Sequence, residues 1–166
     1  GKNFGWPCYE GGNPQPIFQA AFPSHCALLT PGGVTAPLLT YPLAGTPPAA
    51  SAPLVGNTVI GGPFYTATLY PEVYRGNWFI TDYVAGWIKR LVFDGAGTLT
   101  GTAPFATGLS GPVDLEPGPD GLRYYVSIVT GPVKRIRYTG PPARAPAPPP
   151  AARAPPPAPF PLPPPR

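Results

Sequence analysis

The sequence predicts an all-β chain assembled from repeated short-strand units, and three observations carry that prediction. The first is a repeat. Residues 86–95, GWIKRLVFDG, return as residues 131–140, GPVKRIRYTG, a period of 45. Gly86, Lys89, Arg90 and Gly95 recur as Gly131, Lys134, Arg135 and Gly140, while Ile88, Leu91 and Phe93 are answered by Val133, Ile136 and Tyr138. The second is alternation: Trp87, Lys89, Leu91 and Phe93 fall on one side of an extended strand and Ile88, Arg90 and Val92 on the other. The third is that no segment requires a helix. A period of about 40–50 residues built from short strands is the spacing of a β-propeller blade. A blade buries its faces only against neighbours, and a ring needs roughly four to eight of them. This chain holds enough sequence for about two blades, so it reads as a partial β-propeller at the end of a larger protein.

Each element follows from local chemistry. Residues 1–33 carry Phe4, Trp6, Tyr9, Phe18 and Phe22 among Gly and Pro and read as an irregular loop pinned by aromatic packing. Residues 34–56, rich in Pro, Ala and Leu, also read as irregular. Regular structure starts near Asn57, with a strand interrupted at Gly61-Gly62 by a bulge. Tyr74-Arg75-Gly76 is a turn, and residues 78–83 start apolar, as expected of a strand covered on both faces. Gly86 supplies the positive φ of a tight hairpin. Asp94-Gly95-Ala96-Gly97 is a turn, followed by a short strand at residues 98–100. The second unit repeats the scheme, with strands at residues 113–115, 123–128 and 133–138 separated by turns at 117–121 and 129–131.

Composition divides the chain at residue 140. Residues 141–166 hold 14 Pro in 26 positions, together with Arg144, Arg153 and Arg166 and no acid. Proline lacks an N–H and fixes φ, so this tail is expected to be disordered and polyproline-like, a linker to another module or to the cell wall. Residues 1–140 hold eight Lys or Arg against seven Asp or Glu. The basic balance is therefore mostly a property of the tail, and no basic cluster on a folded face speaks for nucleic acid. No apolar run approaches the roughly 20 residues that cross a bilayer as a helix. Residues 1–26 show no basic segment followed by an apolar stretch, and any export signal is expected outside this sequence.

The order of motifs resembles one family. Asn3-Phe4-Gly5-Trp6-Pro7 with Cys8-Tyr9-Glu10-Gly11, then residues 57–65, then Tyr74-Arg75-Gly76-Asn77-Trp78-Phe79-Ile80-Thr81-Asp82-Tyr83 and residues 86–91, are similar to segments of the glucose/sorbosone dehydrogenase family. Pro119-Asp120-Gly121 followed by Tyr124-Tyr125-Val126 is similar to its last blade. The resemblance covers roughly residues 1–140 and corresponds to the C-terminal part of that domain. It implies an exported bacterial protein (secreted, periplasmic or at the cell surface) with a six-bladed propeller. In the family's active members PQQ takes a hydride from the C1 carbon of an aldose, with a histidine base and calcium. The partners implied are therefore the N-terminal blades and a sugar. The histidine belongs to those earlier blades. Where the family's later cationic contacts to PQQ align, this chain has Val84, Gly111 and Val113, so no cofactor contact and no catalytic residue is carried over. The fragment alone is expected to be inactive. The alternative is a non-enzymatic cell-surface propeller that binds carbohydrate or protein.

In an exported family the only two cysteines, Cys8 and Cys26, read as a disulfide worth on the order of 3 kcal/mol; two buried free thiols are the alternative. The residues speak against zinc, since only His25 could join the two cysteines and structural zinc takes four ligands. His25, the sole histidine, lies in the Pro/Gly-rich loop without an adjacent Ser or Asp and reads as a structural residue. Asp82 ends an inner strand, with Ser127 at the equivalent repeat position. It is the candidate ligand for a cation or a sugar hydroxyl, against a turn-capping role through nearby backbone N–H groups. Asp114, Glu116 and Asp120 form an acidic cluster that also suits ordinary turn chemistry. Lys89-Arg90 and Lys134-Arg135 read as charges on a solvated outer strand that block sheet-to-sheet association. Trp6, Trp78 and Trp87 are the candidate sugar-stacking aromatics.

Overall fold

The computed structural model describes residues 1–29 and 33–140. The Pro-rich tail, and the extended conformation expected for it, lie outside the described residues. The architecture is all-β at its centre. Strands β3 (Val59–Phe64), β4 (Trp78–Asp82), β5 (Trp87–Phe93) and β6 (Leu99–Thr107) form a four-stranded antiparallel meander in chain order. Strands β7 (Pro112–Pro117), β8 (Arg123–Ser127) and β9 (Val133–Ile136) form a three-stranded one. These are two successive propeller-type blades, and the repeat is kept to the residue. Trp78 pairs Leu91, Phe79 pairs Arg90, Ile80 pairs Lys89 and Thr81 pairs Ile88. One period later Arg123 pairs Ile136, Tyr124 pairs Arg135, Tyr125 pairs Lys134 and Val126 pairs Val133.

The strand signals have visible causes. The register of β3 on β4 shifts between Gly61 and Phe64, a bulge at the expected Gly61-Gly62 break. The β4–β5 hairpin turns through Gly86 at φ +62°, and a Cβ there would meet the carbonyl oxygen of Leu109 at 2.3 Å. Both backbone shape and crowding therefore require glycine. The Asp94 side chain accepts hydrogen bonds from the N–H groups of Ala96 (2.9 Å) and Thr98 (2.8 Å), which closes the turn into β6. Strand β6 runs well past the short segment expected at residues 98–100. Pro104 argues against a strand in sequence, yet β6 borders only β5, and an edge strand tolerates a residue that cannot donate outward.

Two other expectations need correction. The first 33 residues are more than loop. Strands β1 (Tyr9–Glu10) and β2 (Asn13–Pro14) make a minimal hairpin, followed by helices α1 (Pro16–Ala21) and α2 (Pro23–Ala27). Each helix carries Pro in its first turn, where the missing N–H has no partner to lose. At six and five residues they are too short for a helical period to show. The Cys8–Cys26 disulfide ties α2 back to the chain before β1. Trp6, Phe18 and Phe22 form a chain of ring contacts beside it. The second correction concerns Lys89-Arg90. Strand β5 lies inside its sheet, between β4 and β6, so these are not charges on a solvated outer strand.

Two clusters hold the blades. Tyr65, Tyr70, Phe79, Ile88 and Leu115 are buried between the sheets. Leu54, Ile80, Trp87 and Leu91 are buried on the opposite face of the first sheet, beneath Leu39 and Tyr41. The irregular segment 34–56 thus acts as the lid of that face. Between the sheets lies Arg123, fully buried. Its guanidinium stacks 4.8 Å from the Phe79 ring centroid and 5.3 Å from that of Tyr65, and Nη2 donates to the Pro63 carbonyl at 2.9 Å. Burial lowers its pKa, but an arginine keeps its proton.

Tyr70 completes this interface. Its hydroxyl accepts from the Arg123 N–H (3.0 Å) and donates to the Ile136 carbonyl (2.8 Å), bridging the end of the β8–β9 ladder from a loop of the other blade. Burial raises the pKa of this phenol, which keeps it protonated and able to donate. Tyr70→Phe leaves one buried donor and one acceptor without partners. The expected loss is about 1–3 kcal/mol, read as a lower urea midpoint at unchanged slope.

Candidate functional site

A groove with a volume of about 570 Å³ lies beside the lid segment. One wall is the β1–β2 hairpin with Glu10, Asn13 and Gln15; the other runs from Leu39 through Tyr41 to Thr46, and Asn57 and Val59 close the end at β3. Phe4 contributes a half-exposed ring. The hairpin wall is braced from behind. The Cys8 carbonyl accepts from the backbone N–H of Gln15 (2.9 Å) and from Nε2 of Gln19 in α1 (2.9 Å). The Gln15 side chain in turn donates to the Glu10 carboxylate. Glu10 is the one charged residue among those lining the groove.

At one end of the groove Tyr41 joins it to Asp82. The Asp82 side chain is fully buried, and five donors converge on it. Oδ2 accepts from the Tyr41 hydroxyl (3.1 Å) and from the backbone N–H groups of Asn57 (2.7 Å) and Thr58 (2.9 Å). Oδ1 accepts from the N–H groups of Val84 (3.0 Å) and Ala85 (2.8 Å). The last two bonds are the turn-capping role anticipated in sequence; the other three join separate parts of the chain. Gly56 permits the approach, because a Cβ there would stand 2.3 Å from Oδ2. At the equivalent repeat position the Ser127 hydroxyl donates to the Ser110 carbonyl and accepts from the Thr130 N–H at 3.2 Å. The two sites share a turn-capping task, and the carboxylate adds the long-range ties.

These bonds bear on the residues marked for chemistry. Both oxygens of Asp82 are occupied by donors within the protein, and no group of three His, Cys, Asp or Glu able to hold a metal occurs among the described residues. The acidic cluster at 114–120 is spread over separate tasks. Asp114 accepts from the Leu115 N–H, and Asp120 accepts from the Leu122 N–H and the Tyr124 hydroxyl and lies 3.9 Å from Arg135. The residues present do not fit calcium.

Nor do they fit PQQ, whose carboxylates call for cations. Lys89 Nζ donates to the Pro53 carbonyl (2.7 Å) and sits 4.6 Å from the Trp87 ring centroid. Burial lowers its pKa against the raising effect of Asp82. Arg90 donates to the Val73 carbonyl (2.7 Å) and to the Asn77 side chain (2.8 Å). Val84 and Val113 are exposed apolar side chains. A Cβ on Gly111 would crowd Tyr83, Ile128 and Val129. His25 is exposed, its ring edge-on to Phe22. Of the three tryptophans, Trp78 is half-buried against Phe64 and donates to the Gly62 carbonyl, and Trp87 is buried and donates to Val55. Trp6 alone is open, at 65% exposure, and it is not among the groove residues. Sequence reasoning missed Tyr41, Asn13, Gln15 and Asn57. They are ordinary polar residues in irregular segments or, for Asn13, a two-residue strand, and only the folded chain gathers them.

No known family profile matches the chain, and no curated protein matches it. A solved structure described as a crystal structure of glucose dehydrogenase is similar, at 21% identity over 76% of this chain and 32% of that one, with a TM-score of 0.45. The chain thus spans about a third of the length of that protein. A likeness of this strength carries no activity across.

Two expected outcomes follow from the Asp82 hub. Asp82→Ala strips the buried acceptor from five donors and should cost about 3 kcal/mol in denaturant unfolding, while calcium or a chelator leaves the melting temperature of the native chain unchanged. The second is alkaline. Burial first, then the charge of Asp82 and the hydrogen bond to it, push the Tyr41 phenol far above its ordinary value of 10.0. Because the unfolded state releases this proton first, the stabilisation is whole below pH 10 and is lost as pH rises from there toward the folded value. Tyr41→Phe should therefore flatten the fall of stability above pH 10, measured as urea midpoints across the alkaline range.

Proposed function

We propose that residues 1–140 serve as a carbohydrate-binding part of an exported, sugar-dehydrogenase-like β-propeller protein and carry out no oxidation by themselves. The single observation that carries this reading is the composition of the groove. It combines ring surface from Phe4 and Tyr41 with the amides of Asn13, Gln15 and Asn57, one carboxylate and no cation. Apolar ring faces beside amide and carboxylate groups suit the alternating C–H and O–H surfaces of a neutral sugar. The same surface is ill suited to an anionic quinone. The disulfide agrees with an oxidising compartment. The motif order supports kinship with proteins that handle aldoses. On this reading, oxidation of the C1 carbon with PQQ and calcium belongs to a longer protein rather than to this segment.

The test is titration of the isotope-labelled full chain with neutral glucose oligosaccharides. Amide signals of Asn13, Gln15, Thr40 and Asn57 should shift in a saturable way. Phe4→Ala and Asn13→Ala should each weaken binding roughly fivefold to tenfold, the scale of one net hydrogen bond or ring contact. PQQ, calcium, an aldose and a dye acceptor added to the chain should give no dye reduction above the blank. Shifts confined to residues away from the groove, or a preference for acidic sugars, would sink the binding assignment; dye reduction would sink the inactivity.

A further inference from the structure

The charged groups at the groove are carboxylates. Glu10 stands in its wall, and among the described residues lining it there is no Lys, Arg or His. A second carboxylate lies behind the other end. Asp82 Oδ2 accepts from the Tyr41 hydroxyl and from the Asn57 N–H, and both of those residues line the groove. The five donors on Asp82 are a phenol and four backbone N–H groups, all neutral. Neutral donors solvate a carboxylate without cancelling its charge. Lys89 feels that charge, but its ammonium is held at the Pro53 carbonyl and it is not a groove residue.

Acceptors gather around Glu10. Glu10 and Asn13 are direct cross-strand partners in the β1–β2 hairpin, so their side chains leave the same face with Cβ atoms about 5 Å apart. Gln15 donates through Nε2 to the Glu10 carboxylate. That bond orients the amide and leaves its oxygen as an acceptor beside the carboxylate. The hairpin tip is seated on the opposite wall. Gly11 turns it at φ +62°, and a Cβ there would stand 2.8 Å from Cγ2 of Thr40, next to Tyr41. The acceptor set is thus held in place relative to the Tyr41 ring. A carboxylate and two amide oxygens match the three N–H donors of a primary ammonium group, whereas a hydroxyl offers one donor.

We propose, on the footing that the groove takes a sugar, that its preferred ligand is an amino sugar whose ammonium group is received by Glu10, with Asn13 and Gln15 as the further acceptors. The ring faces of Phe4 and Tyr41 hold the body of the sugar, and the carboxylate selects the amine over the hydroxyl of the corresponding neutral sugar. The chain as a whole carries a formal charge of +4, so unspecific attraction works against a cationic ligand and the selection is local to the groove.

The probes are β-1,4-linked tetramers of glucosamine, of N-acetylglucosamine and of glucose, titrated into the isotope-labelled full chain at low salt. The glucosamine tetramer should bind about fivefold more tightly than the glucose tetramer, the size of one ion contact at about 4 Å in water. The N-acetylglucosamine tetramer, whose amine is uncharged, should lack that advantage. In 1 M salt, where the Debye length is about 3 Å, the advantage should largely vanish. Glu10→Gln keeps the shape of the side chain and removes its charge, and should bring the ratio of the two affinities to about one. Saturable glucose binding without any preference for the amine overturns the proposal and leaves the carbohydrate reading standing. A preference that survives Glu10→Gln overturns it, as does tri-lysine shifting the same amides with equal affinity, since the groove would then read charge without sugar. Failure of every tetramer to bind overturns both.

Discussion

The Asp82 carboxylate is the constraint on which the rest of this structure depends. A buried charge survives only when donors surround it, and here they come from three places: the lid segment through Tyr41, the entry to β3 through Asn57 and Thr58, and the β4–β5 turn through Val84 and Ala85. One side chain therefore fixes how the irregular segment 34–56 meets the first sheet. Trp87 and Lys89 hold the same segment further along, through the Val55 and Pro53 carbonyls. It contributes one short 3-10 turn, Ala49–Ser51, and no strand. Once pinned, it presents Leu39, Tyr41 and Leu54 to Trp87, Ile80 and Leu91 and completes the second cluster. The groove wall and the covering of the sheet are thus two consequences of one electrostatic requirement.

The interface between the sheets solves a different problem with a different residue. Arg123 occupies the position that Trp78 holds one period earlier, so a cation stands where the first repeat places an aromatic. It is accommodated by the faces of Phe79 and Tyr65 and by the Pro63 carbonyl, without an acidic partner. Two of its nitrogens, Nε and Nη1, have no hydrogen-bond partner among the described residues. Attraction to the rings offsets part of the desolvation cost. The aliphatic stem adds packing between strands that share no hydrogen bonds. Tyr70 then reaches across to the ladder end, so the loop after β3 is anchored by the second blade as well as by its own.

Much of the strand framework was legible because its causes are local. The period of 45, the alternation of residues 87–93, the Gly61-Gly62 break and the Asp94 turn each act within a few residues of themselves, and each stands in the fold where the sequence puts it. What stayed hidden depends on distance or brevity. Helices α1 and α2 are shorter than the pattern that announces a helix, although Pro16 and Pro23 at their first turns were available as start signals. The length of β6 was masked by Pro104, because a sequence does not say which strand will stand at an edge. The groove was invisible for a stronger reason. Glu10, Tyr41 and Asn57 belong to three segments that meet only through the disulfide, the lid and Asp82, and no spacing rule connects them.

Lys89-Arg90 and Lys134-Arg135 show why a repeat in sequence is not a repeat in task. Both pairs hold the same register against their neighbouring strand. In β5, flanked on both sides, the lysine stem crosses Trp87 to reach the Pro53 carbonyl and the arginine packs on Tyr74 while bonding Val73 and Asn77. Each cation there ties the sheet to a covering segment. In β9 the lysine approaches Tyr125 (5.9 Å) and the arginine meets Asp120 at the limit of an ion pair (3.9 Å). Exposed contacts of that kind contribute little. The difference lies in what covers the sheet and not in the residues themselves. The lid segment and the loop between β3 and β4 turn the first pair into structural anchors, and the second pair has no such covering segment among the described residues. Blade repeats fix pairing geometry through the backbone, while the role of each side chain is set by the non-repeated segments laid over them.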